Sequence, residues 1–144
     1  MTVTRDMLDA SPSRAPLGVA EVAAAIDECL NCLQACISDA DADLAERDIE
    51  EVRTCIALCL NCADVCDFTA RVLSRPAQWD DFVVDRLLQA CVRTCTVCAD
   101  ECAKHADHHR HCAICEKACR ACIQACSALL AAEAVEELEK LGGA

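Results

Sequence analysis

The chain of 144 residues has the length of one domain and is long enough to bury a core. Its formal net charge of -12 makes the surface repel nucleic acid and anionic membranes, so we expect neither as a partner. With three glycines, three prolines and 2% aromatic residues, the composition excludes a turn-rich β-sandwich and favours an all-α fold.

The N-terminal segment, residues 1–17, is predicted to be a flexible leader that contains Pro12 and Pro16. It lacks the apolar stretch of a secretory signal, and no run in the chain approaches the ~18–20 apolar residues of a membrane span. We therefore expect a cytoplasmic protein, in a compartment where thiols stay reduced.

The remainder of the chain, residues 18–140, is predicted to be one domain of four helices. Three stretches separate the helices: the polar DADAD at 39–43, the sequence SRP at 74–76, and the polar ADHHR at 106–110. The glycine pair at 142–143 lets the last helix fray. The predicted helices cover about residues 19–40, 44–73, 80–105 and 111–138.

Cysteine is the most informative residue type, because sixteen cysteines are present and the spacing CxxCxxxC occurs five times. Steps of three and four residues place side chains on one face of a helix. Each predicted helix therefore carries a stripe of thiols. In chain order the four stripes are Cys29, Cys32 and Cys36; Cys55, Cys59, Cys62 and Cys66; Cys91, Cys95, Cys98 and Cys102; and Cys112, Cys115, Cys119, Cys122 and Cys126.

Short connections between the helices predict an up-down-up-down four-helix bundle with a cysteine-lined core. The stripes would face one another along an elongated column. At one end they continue into apolar residues, namely Val22, Ile26, Leu73, Val84, Leu87, Leu129 and Leu130. At the other end they continue into polar residues, namely Asp39, Asp48, Glu51, His105 and His109. The pattern therefore predicts a column that is closed by hydrocarbon at one end and open at the other.

The charge of the core indicates which metal the thiols would bind. Soft thiolates select Cu(I), Zn(II) or iron–sulfur clusters. A Zn(II) ion held by four thiolates leaves a buried negative charge, and no Lys or Arg lies on the stripes inside the column to compensate it. One monovalent Cu(I) per thiolate leaves the core near neutral, so multiple Cu(I) ions are favoured. The ferredoxin run CxxCxxCxxxCP is absent, which disfavours iron–sulfur clusters.

Other uses of many cysteines remain as alternatives. A Zn(II) or Cd(II) buffer of the metallothionein type would hold about one metal per three or four cysteines in tetrahedral sites. A thiol redox enzyme needs one activated cysteine in an electropositive setting, which near-equivalent thiols do not provide, so we expect no enzyme activity. Disulfides within a helix are disfavoured, because i,i+4 neighbours lie about 5–6 Å apart, too far for an S–S bond.

The four histidines lie together in KHADHHRHC (104–112), between the third and fourth predicted helices. One interpretation is a solvated polar turn. The spacing favours ligands, because His105 lies three residues after Cys102, His109 lies three residues before Cys112, and His111 is adjacent to Cys112. The remaining histidine, at position 108, has the weakest spacing. Since imidazole holds copper less tightly than a thiolate does, this cluster is suited to metal uptake.

The combination of four cysteine-striped helices with ECAKHADHHRHCAICEKACRACIQAC resembles the cytosolic copper storage proteins of bacteria. The resemblance covers about Cys29 to Cys126 and implies a four-helix bundle that holds many Cu(I) ions, bound mostly by paired cysteines. It also implies a homotetramer and uptake through His105, His109 and His111. We expect Cu(I) to arrive from a copper-donating carrier. The first helix is poorer in cysteine than this family suggests, because Ala25 and Asp39 occupy positions where the stripe could continue.

Overall fold

The computed structural model describes residues 2–143, which contain five α-helices, one short 3-10 helix and no β-strand. The helices are α1 (Val3–Ala10), α2 (Val19–Leu44), α3 (Ile49–Leu73), α4 (Asp81–His105) and α5 (Arg110–Gly142). The 3-10 helix covers Pro76–Gln78, between α3 and α4. The all-α prediction is confirmed, and the four predicted helices correspond to α2 to α5.

The bounds of three helices differ from the prediction. Helix α3 begins at Ile49, five residues after its predicted start at residue 44, which is instead the last residue of α2. Helix α2 continues through the DADAD stretch to Leu44, because Asp39 and Asp43 turn into the core and are buried there. Helix α5 continues to Gly142, four residues beyond the predicted end. Helix α4 starts as predicted, with the side chain of Asp80 accepting a hydrogen bond of 3.0 Å from the backbone N–H of Val83.

Helix α1 lies within residues 1–17, which were predicted to be a flexible leader without a helix. The helix packs against α2. Leu8 from α1 and Leu17 from the following connection are buried against the core. The hydroxyl of Thr2 also donates a 2.7 Å hydrogen bond to Oδ2 of Asp27 on α2. An eight-residue helix is too short to be stable alone, so these contacts with α2 account for its formation.

The four long helices pack in a ring around the core. Helix α2 packs against α3 and α5, and α4 packs against the same two helices. All sixteen cysteines face inward and have no exposed surface. The cysteine-lined core that the spacing predicted is therefore confirmed.

The apolar end of the core is close to the prediction. Val22, Ile26, Leu73, Val84 and Leu129 are buried as expected. Leu88 fills the position predicted for Leu87, which is only half-buried, and Leu130 is also half-buried. The prediction of Leu87 was therefore wrong. Leu88 lies three residues before Cys91 and seven before Cys95, which keeps it on the buried face of α4.

The polar end differs from the prediction at two residues of α3 and its N-cap. Glu51 and Asp48 were predicted to continue the thiol stripes outward at the polar end, but both are exposed, and Val52 is buried instead. Val52 lies three residues before Cys55 and seven before Cys59, so it shares their face of α3. Asp48 ends up outside the core because it occupies the N-cap position of α3.

Helix α5 is long and apolar enough, by length and composition, to cross a membrane. The expectation that no stretch approaches such a span was therefore wrong. The core helix of a soluble protein meets the same criteria, and a single such helix is weak support for membrane insertion. Five cysteines contribute to the apolar character of α5, and all five are buried against the other helices.

Candidate metal centre

The thiols form one continuous column of closely spaced sulfur atoms. Neighbouring Sγ atoms on different helices lie 3.6 Å apart in the pairs Cys32–Cys119 and Cys62–Cys95, and 3.9 Å apart in Cys36–Cys98. These separations exceed the ~2.05 Å of a disulfide bond, and all sixteen cysteines are free thiols. The column therefore presents thiols that can each supply a metal ligand.

The sulfur atoms gather into overlapping groups of four, with all members within 4.8 Å of one another. Cys32, Cys36 and Cys119 are among the cysteines that belong to two groups each. Five of the groups are Cys29, Cys91, Cys122 and Cys126; Cys32, Cys66, Cys95 and Cys122; Cys32, Cys36, Cys62 and Cys119; Cys36, Cys98, Cys115 and Cys119; and Cys59, Cys98, Cys102 and Cys115. Because neighbouring groups share thiols, the column can bridge adjacent ions, unlike a set of isolated cages.

No Lys or Arg side chain is buried among residues 2–143. The buried polar and charged residues are Asp39, Asp43, Thr69 and Glu101. No lysine or arginine in the described part of the chain is therefore available inside the column to neutralise a thiolate. Burial disfavours the charged form of a thiol, so deprotonation would accompany metal binding.

Three of the four histidines meet at one end of the column, which we name the histidine end and define by His105, His109 and His111. The rings of His109 and His111 are stacked with centroids 5.3 Å apart, and the centroids of His105 and His109 lie 6.4 Å apart. His108 is exposed. The structure thus brings together the three histidines with the stronger spacing arguments, and it leaves out the fourth.

Carboxylates hold each of these imidazoles. Nδ1 of His111 lies 2.6 Å from Oδ1 of Asp39, and Nε2 of His111 lies 2.8 Å from Oε1 of Glu46. Nδ1 of His109 lies 3.1 Å from the same oxygen of Glu46. Since both ring nitrogens of His111 face carboxylates, each can donate an N–H only if the ring is charged. Burial acts to lower the pKa of His111, but the hydrogen bonds to Glu46 and Asp39 outweigh it and raise the pKa overall.

The third histidine is held by a carboxylate from its own helix. Nε2 of His105 lies 3.2 Å from Oε1 of Glu101, and Nζ of Lys104 lies 2.6 Å from Oε2 of the same side chain. Glu101 is buried and precedes His105 by one helical turn. Glu101 therefore restricts the orientation of the His105 ring, and Lys104 compensates the negative charge of Glu101.

Asp39 connects the histidine end with the thiol column. Its Oδ2 accepts hydrogen bonds from the thiols of Cys59 at 3.4 Å, Cys102 at 3.5 Å and Cys55 at 3.8 Å. Its Oδ1 accepts the bond from His111. Burial raises the pKa of Asp39, and this outweighs the opposing effect of the His111 hydrogen bond. The carboxylate thus occupies a place in the column where the cysteine spacing would put a thiol.

Asp43 is fully buried one turn further along α2. Its Oδ1 accepts a 3.5 Å hydrogen bond from the thiol of Cys112 and lies 3.7 Å from Nδ1 of His111. Burial, together with the charges of Cys55 and Asp39, raises the pKa of Asp43 to about 7. Burial and the charges of Asp39 and Asp43 also raise the pKa of the Cys112 thiol.

Sequence reasoning missed three acidic residues at this end: Asp43, Glu46 and Glu101. A signal for Asp43 was present, because Asp39 and Asp43 continue the stripe of Cys36 by steps of three and four residues. Glu101 could have been found as the residue one turn before His105. Glu46 lies in the connection between α2 and α3, where helical spacing carries no information.

Comparisons with known proteins give a consistent result. Residues 19–131 match the family model described as copper storage protein. The copper storage protein Ccsp from Streptomyces lividans, loaded with 10 copper equivalents, is 44% identical with a TM-score of 0.88, over 90% of this chain and 99% of that one. The five-copper structure of the cytosolic copper storage protein from Streptomyces lividans is 49% identical with a TM-score of 0.77, over 78% and 93%.

A more distant relative has the same fold. The Cu(I)-bound copper storage protein BsCsp3 is 29% identical with a TM-score of 0.67, over 75% of this chain and 96% of that chain. No curated protein sequence matches this chain.

The burial of the thiols predicts slow chemical modification. In the folded, metal-free, reduced protein, we expect the sixteen native thiols to react with a disulfide reagent at least about tenfold more slowly than in denaturant, because reaction requires local opening. Absorbance of the released chromophore measures the rate. The exposed Ser127 provides a control, since Ser127→Cys should add one fast-reacting thiol. Rapid modification of most native thiols would contradict the buried column.

Proposed function

We propose that this chain, which belongs to the copper storage protein family, binds many Cu(I) ions on the thiolates of its core and catalyses no reaction. The observation that carries the proposal is the column of overlapping four-sulfur groups in a core with no buried Lys or Arg among residues 2–143. The family match and the copper-loaded relatives support it. A Streptomyces lividans relative is described as cytosolic, and we assign this chain to the same compartment.

We infer that the four long helices run up-down-up-down. The distances between thiols on different helices support these alternating helix directions. Cys29, the first thiol of α2, lies 3.9 Å from Cys91, the first thiol of α4, and 3.8 Å from Cys126, the last thiol of α5. Cys55, early in α3, lies 3.7 Å from Cys102, late in α4. The loops that follow α2 and α4 would then share the histidine end.

The proposed ligands are the sixteen core cysteines together with the three histidines of the histidine end. Every thiol except that of Cys112 lies within 3.9 Å of another thiol, so a Cu(I) ion in the column could take ligands from two cysteines. Monovalent ions would neutralise the thiolates nearly one for one. This charge balance favours copper over a divalent ion in the core.

A Zn(II) or Cd(II) buffer is the second candidate, because a group of four sulfur atoms within 4.8 Å is the ligand set of a tetrahedral site. Two features count against it. The groups share thiols, so they cannot all be filled at once by separate four-coordinate ions. Each filled group would also bury uncompensated negative charge.

An anaerobic titration of the reduced protein separates the two candidates. We expect tight binding of roughly one Cu(I) per cysteine and few Zn(II) ions, because bridging thiolates and charge balance both favour Cu(I). Metal bound per chain is counted against a competing chelator. Saturation at about four or five ions of either metal would mean discrete tetrahedral sites, and the Cu(I) proposal would fail.

We propose that Cu(I) is delivered by a carrier thiol to the histidine end and moves inward by exchange between ligands. The imidazoles support this direction, because they hold copper less tightly than thiolates and because Nδ1 of His111 lies 3.5 Å from Sγ of Cys112. At the opposite end, the buried Val22, Leu73 and Leu88 offer no ligand atoms. Each transfer to a thiol would release its proton.

Replacing His105, His109 and His111 together by Asn should slow Cu(I) loading more than it lowers the final capacity, because the core thiols remain. Stopped-flow absorbance of the copper–thiolate band measures the rate, and a chelator titration measures the capacity. His108→Asn is the matched control, since that side chain is exposed and outside the cluster. An unchanged loading rate in the triple variant would count against uptake at the histidine end.

We further propose that the chain forms a homotetramer. Exposed apolar side chains support an interface, since Leu30, Ile37 and Leu44 recur every seven residues along the outer face of α2, and Leu60 is exposed on α3. Light scattering should give the mass of four 15.5 kDa chains. A monomer mass at micromolar concentration would contradict the proposal.

A further inference from the structure

One buried carboxylate at the histidine end has a hydrogen-bond partner on only one of its two oxygens. Asp43 has no exposed side-chain surface. Its Oδ1 contacts the thiol of Cys112, but its Oδ2 has no hydrogen-bond partner among the residues that the structure describes. A buried carboxylate without a partner on one oxygen is costly unless a cation or proton completes it.

The groups around Asp43 form a donor set that differs from the thiol groups of the core. Nδ1 of His111 lies 2.6 Å from Oδ1 of Asp39, 3.7 Å from Oδ1 of Asp43 and 3.5 Å from Sγ of Cys112. With metal–ligand bonds of about 2.0–2.3 Å, a tetrahedral ion separates its ligand atoms by about 3.3–3.8 Å. Small movements of the donors would therefore suffice to surround one ion.

The chemistry of these donors indicates the class of ion. Carboxylate oxygen and imidazole nitrogen suit borderline or hard divalent ions, whereas Cu(I) prefers sulfur. Asp39 and Asp43 both lie in the core, and no Lys or Arg is buried beside them in residues 2–143. A divalent ion would neutralise the two carboxylates and leave a smaller net charge than the same ion held by four thiolates.

We propose that Asp39, Asp43, His111 and Cys112 form a separate site for one borderline divalent cation of the Zn(II) class, next to the all-thiol column. The site shares His111 and Cys112 with the proposed copper ligands and adds two carboxylates from α2. Its occupant would lie between the histidine end and the thiol column. The proposal does not require that the core store copper.

Cobalt(II) is a suitable probe, because the intensity of its sulfur charge-transfer band reports how many thiolates bind it. In the reduced protein, we expect the first equivalent to show the weak band of a single thiolate. Asp43→Asn should weaken binding of that equivalent at least about tenfold, since losing even an outer partner of a metal site costs about 10–100-fold. Asp41→Asn is the matched control, because Asp41 is exposed on the same helix and loses the same charge.

A four-thiolate band for the first equivalent, or wild-type affinity in Asp43→Asn, would overturn the proposal. X-ray absorption of the wild-type protein with one equivalent of Zn(II) provides a test that needs no variant. We expect one sulfur and otherwise oxygen or nitrogen around the zinc, and a shell of four sulfurs would refute the site. The Cu(I) capacity of Asp43→Asn, measured separately, tests the storage proposal on its own.

Discussion

The structure depends on burying sixteen thiols along the inner faces of four helices. A neutral thiol behaves as a small apolar group, so the metal-free core can pack like an ordinary hydrophobic core. A thiolate in the same place is costly, because the low-dielectric interior contains no Lys or Arg among the described residues. The same side chains therefore stabilise the fold while protonated and become ligands only when a cation replaces their protons. The packing of the core and its capacity for metal therefore depend on the same thiols.

The two ends of the column differ chemically, because one end is apolar and the other carries imidazoles. Val22, Leu73, Leu88 and Leu129 close one end with side chains that have no ligand atoms. The other end carries the three imidazoles, each held by a carboxylate. These carboxylates restrict the orientation of rings that would otherwise rotate freely in a polar turn. This difference between the ends is the basis for the proposed metal exchange with the solvent at the histidine end.

Asp39 shows how a single departure from the cysteine stripe changes the chemistry. A cysteine at this position would extend the column by another thiol. The aspartate instead accepts hydrogen bonds from three thiols on one carboxylate oxygen and from His111 on the other. Together with Asp43, it places carboxylate oxygens beside the sulfur column. In the proposed divalent site, these oxygens would make the end of the column less selective for soft ions than its interior.

The sequence by itself determined the features that follow from local periodicity. Steps of three and four residues between cysteines placed all of them on inward faces, and the third predicted helix, 80–105, agrees with α4 to within one residue. The spacing of His105, His109 and His111 relative to Cys102 and Cys112 likewise singled out the three histidines that cluster. Their role as ligands remains a prediction.

Only the tertiary structure decided the features that depend on partners from elsewhere in the chain. Local propensity ended the first predicted helix at the DADAD stretch, but α2 continues because Asp39 and Asp43 meet thiols and an imidazole from other helices. Glu46 lies in a connection without periodicity, and helix α1 forms through its contacts with α2. Helical spacing specifies which face of a helix a residue occupies, whereas the identity of its partner depends on how distant segments pack.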